Sequence, residues 1–425
     1  MEPTNSDNDF NCNDNINIDL PDFLSDVDLG SSTLEAHLAT PDVSYEEYRL
    51  QKEIECGNLV MARKSVYLDT RFWIHLRDSS LGKPVATVFN QILKELRKGV
   101  TEGKFICPFA ADMLAEVYKQ SDRTTRSATA RLIDELSLNI ALQPEPERLT
   151  TELYHGIRAV RSGKVPQDPL EKLVWTRSSF VIGHVAPTST AFDASTELAI
   201  QKSFLDSISR LGFYHQVIGS YDKEFDNERF NNMWRNLAER LNKLNAENLI
   251  EDKSRKQIEV DEFSGALQAY LPIIQNVIQD MLIQDFESSL NTQEKAQTEK
   301  AALQIGGILC EAFRLGRLGS NFPTFAIRAG LASAVRWDRN RKYKPNDFHD
   351  FGHAAAALPY FDIFATEKSL CHLLVNDLKY DTRFNTVVEF DPEKVLARLW
   401  PLGVSQLTPN LEIITTSCLL EPRIC

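Results

Sequence analysis

The sequence predicts an α/β protein, with a parallel sheet flanked by helices and interrupted by a mostly α-helical insertion. Three observations predict it. Between about residues 62 and 142, short apolar runs alternate with helical periodicity, the rhythm of a parallel sheet covered on both faces. The same rhythm returns between 321 and 403. The stretch between them carries apolar residues at helical spacing, reads almost nowhere as strand, and is far longer than an ordinary loop. The chain therefore divides into an acidic tail (1–45), a first α/β half (46–144), a helical insertion (145–320), a second α/β half (321–403) and a C-terminal tail (404–425).

The elements follow in order. Ser65-Val66-Tyr67-Leu68-Asp69 is an apolar strand ending in an acid, followed by the helix VATVFNQILKELRKG with Gly99 as its expected breaker. Phe105-Ile106-Cys107 is a second buried strand, and Pro108 stands where a helix begins. ADMLAEVYKQ and RTTRSATARLIDELS are the next helices. TELAIQKSFLDSISRLG, NNMWRNLAERLNKLN, ALQAYLPIIQNVIQDML and KAALQIGGILCEAFRLG supply the insertion. FPTFAIRAGLASAVRW and NDFHDFGHAAAAL are helices, the second with Asn346 as N-cap. Phe361–Thr366 and Thr386–Phe390 are strands, EKSLCHLLVND is the helix between them, and PEKVLARL closes the fold.

Composition narrows the function classes. A chain of 425 residues with 43% hydrophobic residues buries a real core, which excludes a wholly disordered or fibrous protein. No apolar run reaches the roughly 20 residues of a membrane span. The start, MEPTNSDNDFNCNDN, is no secretory signal. Seven scattered cysteines, never spaced as CxxC, point to reduced thiols and a cytoplasmic setting. The net charge of -13 is concentrated at one end. Residues 1–47 hold 12 acids and no Lys or Arg, leaving 48 acids against 47 bases in the rest. An acidic total thus leaves a nucleic-acid partner open. The tail reads as flexible, with Leu20, Phe23 and Leu24 available to dock. In that reading it shields basic surface, and deleting residues 1–45 changes RNA affinity.

Acidic residues carry the chemistry. Asp69 follows an apolar strand, at the carboxyl edge where open α/β sheets bind ligands; the same position suits a helix cap. Glu116 lies on the helix after the second strand. Asp112, one turn earlier, is explained by the helix dipole. In Asn346-Asp347-Phe348-His349-Asp350-Phe351-Gly352-His353, Asp347 also suits the dipole, whereas Asp350 sits beside four alanines that admit a close neighbour and needs a partner there. Glu367 follows the strand that ends in Thr366. His349 and His353 have the spacing of a zinc pair without its glutamate. Gathered carboxylates repel unless cations neutralise them, and hard oxygen donors select Mg2+ or Mn2+. Just upstream, Arg336, Trp337, Arg339, Arg341, Lys342, Tyr343 and Lys344 combine positive charge with rings that hold phosphates and stack bases. Solvated charge with anchoring aromatics is the competing account.

The order of these signals, in VYLDTRFW, CPFAADMLAEVYKQ, NDFHDFGHAAAALPYFDIFATEKSL and the closing VVEF, resembles the PIN-domain nucleases, split around the insertion. The resemblance implies a PIN-like sheet and a metal-dependent endoribonuclease. Asp69, Glu116 and Asp350 are its central acids, with Asp347 and Glu367 as further candidates. It implies two-metal-type hydrolysis of RNA, with DNA as a second polynucleotide open to the same chemistry, leaving 5′-phosphate and 3′-hydroxyl ends. Such domains serve as toxins, in RNA processing and in defence. Arg71 and Thr366-Glu367-Lys368 depart from the family pattern and motivate a second reading, a catalytically inactive module that binds nucleic acid or protein. A third reading takes His349-Asp350 as the mark of an HD-type nucleotide phosphohydrolase. A protein partner on the insertion or the acidic tail is a further expectation.

Overall fold

The computed structural model describes residues 31–162, 168–188, 191–219, 227–247, 253–286, 290–318, 321–338 and 340–399. Six strands occur among them: β1 (Lys64–Leu68), β2 (Phe105–Ile106), β3 (Ile140–Leu142), β4 (Trp175–Arg177), β5 (Ile363–Ala365) and β6 (Val387–Glu389). Four form an all-parallel sheet in the order β2-β1-β5-β6, with Val66, Tyr67 and Leu68 opposite Ile363, Phe364 and Ala365. The two halves of the α/β domain, nearly 300 residues apart in the chain, thus meet at the sheet's centre. The α/β class and the helix-flanked parallel sheet are as the sequence predicts.

Strand alternation distributes the core. Val66, Leu68, Ile363 and Ala365 pack with the helices Thr70–Ser80 and Thr87–Thr101. Tyr67, Phe364 and Val388 face the opposite layer, where Ala354–Ala357 are fully buried. The helix Pro323–Trp337 serves two cores, since Ile327 and Leu331 belong to that layer and Phe325, Ala326 and Ala329 to the insertion. The insertion is anchored at its start by Glu152, which is fully buried and accepts hydrogen bonds from Thr324 Oγ1 (2.5 Å) and Tyr360 Oη (2.7 Å). Burial pushes its carboxyl up to about 7.

Five sequence expectations need correction. The tail does not extend to residue 45: Ser31–Leu38 is a helix docked on Ala194–Ser209, with His37 Nε2 2.8 Å from Asp206 Oδ2. Leu20, Phe23, Leu24 and the segment 404–425 lie outside the described residues. Gly99 does not break its helix, which continues to Thr101; a Cβ there would lie 2.0 Å from the Phe105 ring, so this glycine serves close packing. The hairpin β3–β4 escaped the reading, and β4 lies inside the nominal insertion. ALQAYLPIIQNVIQDML is divided into Arg255–Ala269 and Leu271–Phe286, because Pro272 fits only a first turn. Finally, the helix Pro345–Ala357 starts one residue before Asn346, with Lys344 as its N-cap and Pro345 at its first position.

Candidate functional site

From β1 the sheet runs outward to β2 on one side and to β5 and β6 on the other. The carboxyl ends of β1 and β5 therefore mark a reversal of strand order, the place where open α/β sheets bind ligands. Asp69 stands there, its N–H donating to the Ala365 carbonyl at 3.0 Å. It caps the helix Thr70–Ser80, accepting from Phe72 N–H at 3.2 Å. The carboxyl is buried, and desolvation holds its pKa above the ordinary value; His353, the Phe72 N–H, and the Thr366 hydroxyl oppose that shift, and the Glu367 charge adds to it. The capping account of Asp69 therefore holds, at a position on the sheet's carboxyl edge.

The helix Pro345–Ala357 crosses the same edge. Asp350, on this helix, lies within the field of three other carboxylates. Burial, then the charges of Glu367, Asp347 and Asp69, push Asp350 up to about 7 against the opposing Arg341. Asn346 Nδ2 donates to Asp350 Oδ1 at 3.3 Å. Asp347 also closes its own helix end, accepting from Lys344 N–H at 2.8 Å, and lies 3.4 Å from Arg341 Nη2. Glu367 caps the helix Lys368–His372 and accepts from the Ser369 hydroxyl.

Two further acids approach from the helix Asp112–Tyr118. Asp112 comes so near Gly352 that a Cβ there would be 2.7 Å from its Oδ1. Glu116 is ion-paired with Lys119 at 2.8 Å. Both raise the pKa of His349, which burial and Lys119 lower overall. Among the predicted acids, Asp69, Asp347 and Glu367 thus all bear on Asp350, whereas Glu116 faces Lys119 and His349. Asp112 is the acid that sequence reasoning undervalued: the dipole explained it fully, and only the closeness of Gly352 reveals its place.

The two histidines do not act as a pair. The His349 ring lies among Phe230 and Trp234, with centroids 5.6 and 5.4 Å away, whereas His353 Nδ1 is 2.6 Å from the buried Tyr67 hydroxyl. Among the described residues, no three His, Cys, Asp or Glu side chains form a group placed to hold a metal ion as they stand.

The basic segment is partly consumed within the protein. Arg336 pairs with Glu262 and Arg341 with Asp347. Tyr343 is buried, its backbone held by Asn242 at 2.8 and 2.9 Å. Trp337, Lys342 and Lys344 are exposed, and Arg339 lies outside the described residues. Tyr343 is therefore an anchor and not a free stacking surface. None of the described helices is long and apolar enough to cross a membrane.

Comparison with protein-family models, curated proteins and solved structures gives no match for this chain.

Proposed function

We propose that this chain is a metal-dependent endoribonuclease with a PIN-like site at the β1/β5 edge. One observation carries the reading: Asp69, Asp347, Asp350 and Glu367 gather at the sheet's switch point closely enough that Asp350 is pushed up to about 7. Structural capping explains any one of these acids. It does not explain why three of them bear on the fourth, Asp350, at the carboxyl edge of the sheet.

The donor set suits a hard divalent cation such as Mg2+ or Mn2+ in kind. Asp69 and Asp350 would hold it, with Glu367 and Asp347 completing the acidic wall and Asp112 or Glu116 entering from the facing helix. Because no three of these groups are assembled as they stand, binding draws carboxylates together that repel one another without the ion. When bound, such an ion polarises an attacking water and neutralises charge on the phosphate. The chain's own residues contribute position: the Phe72 N–H and Thr366 hydroxyl orient Asp69, and Asn346 orients Asp350. Hydrolysis then adds water across the P–O3′ bond, leaving a 5′-phosphate and a 3′-hydroxyl.

The test is end-group analysis of cleaved RNA. Products that accept a label only after phosphatase treatment carry 5′-phosphate and fit this chemistry. A 2′,3′-cyclic phosphate would instead mean that the RNA's own hydroxyl attacks, and the acidic site would lose its role.

A second reading rests on a specific feature, the occupation of Glu116 by Lys119 and of Asp347 by Arg341. In it the fold binds RNA or protein without turnover. Asp350→Asn then leaves RNA affinity intact and there is no cleavage to lose.

A further inference from the structure

The helix Asn227–Glu247, part of the insertion, is 21 residues long yet buries only Ala238 among its residues. Asn242 ties it to the Tyr343 backbone, and it runs against the helix that carries Asp350. Its N-terminal turns present Phe230 and Trp234 on the face towards His349, the residue before Asp350. The indole of Trp234 stacks on Phe348 at 5.3 Å and 21°, and Phe348 in turn stacks on Tyr343 at 5.9 Å and 6°. Phe230 meets Trp234 edge-on at 6.0 Å, with Lys119 Nζ 4.9 Å from its ring. Both rings keep part of their surface exposed.

Packing alone accounts poorly for this arrangement. Trp234 Nε1 is enclosed and meets no acceptor among the described residues, an uncommon state for a buried indole N–H. The stack is also pinned from behind by Tyr343, whose position Asn242 holds with two hydrogen bonds. Rigid, partly exposed aromatic faces beside a basic side chain are what an unpaired base and its phosphate require.

We propose that Phe230 and Trp234 form a base-stacking site, contributed by the insertion, which holds an unpaired nucleotide next to the acidic edge. Lys119, paired at rest with Glu116, lies on the side where that nucleotide's phosphate would sit. The proposal rests on the nuclease reading for its choice of RNA as ligand. It assigns the insertion a task, selecting single-stranded over paired substrate, because a base inside a duplex cannot reach the rings.

The test is binding without turnover. Affinity of the full chain for a single-stranded RNA oligomer is measured in EDTA, with one abasic position scanned along the strand. One abasic position is expected to weaken wild-type binding about tenfold. Trp234→Ala loses a similar factor on the intact oligomer and no longer responds to the abasic position; Trp234→Phe keeps most of the response. Should Trp234→Ala fail to fold, the abasic scan on the wild type and Trp234→Phe still decide. Equal affinity for intact and all abasic strands, or an undiminished abasic penalty in Trp234→Ala, overturns the stacking site. Duplex RNA bound as tightly as single strand does so as well. An abasic penalty without metal-dependent cleavage leaves the stacking site standing and removes the nuclease. Cleavage without a penalty does the reverse.

Discussion

Asp350 has a folded-state pKa near 7, well above the ordinary carboxyl value of about 4. Between those values the folded chain keeps a proton that the unfolded chain has released, so stability falls as pH rises through that window. In EDTA, unfolding should cost about 2–3 kcal/mol less at pH 8 than at pH 5 from this group, allowing for its partial exposure. Asp350→Asn should flatten that dependence, and Mn2+ should restore stability at pH 8 in the wild type only. Urea unfolding at the two pH values, with and without the ion, checks all three. If the wild type gains nothing from Mn2+ at pH 8, the acids are not a cation site. Gly352 offers a second residue-scale test, since a methyl group there displaces Asp112. Gly352→Ala should cost roughly 1 kcal/mol of stability but lower kcat by a larger factor, as read by RNA turnover beside thermal unfolding. Neither effect was fully legible in the sequence. Asp350 stood out because an acid beside Ala354–Ala357 needs a partner, whereas the place of Asp112 depends on how closely two helices approach.

Among the elements, those defined by local pattern were readable. β1, β2, β5 and β6 are short apolar runs, and RTTRSATARLIDELS is the helix Arg123–Ser137 to the residue. Elements that depend on tertiary contact were not. β3 follows a helix through Leu138 and Asn139, both at positive φ, with no glycine to mark the turn. The helix Ser31–Leu38 lies in an acid-rich stretch, and what secures this segment is distant in sequence: Lys202, 1% exposed, donates to the carbonyls of Thr40 and Val43, both at 2.9 Å. Removing residues 1–43 strands that ammonium, and the chain should lose about 3 kcal/mol of stability. Removing residues 1–30 should leave Lys202 satisfied and stability unchanged. Comparing the two truncations by chemical denaturation tests whether this segment belongs to the fold; equal stability would contradict the docking. Only the shorter truncation is a clean test of whether the acidic tail shields a basic surface.

At the scale of the whole molecule, a sheet assembled from two distant halves positions the acids, and the insertion stands over them. Helix Pro323–Trp337 packs into both cores, and Glu152 secures the insertion's first helix to Thr324 and Tyr360. The insertion is thus built into the fold, and the helix Asn227–Glu247 reaches the acidic edge from it. The strand–helix rhythm foretold the helix-flanked parallel sheet; the contact between the helix Asn227–Glu247 and the helix of Asp350 had no sequence signal. The central claim is that these acids hydrolyse RNA with a divalent cation. Its most direct measurement is cleavage of labelled single-stranded RNA by the purified full chain in Mn2+, in Mg2+ and in excess EDTA, with Asp350→Asn alongside. The account predicts cleavage that requires the cation and falls at least a hundredfold in the variant. Cleavage that persists in EDTA or in Asp350→Asn, or none by a wild type that binds RNA, would contradict it.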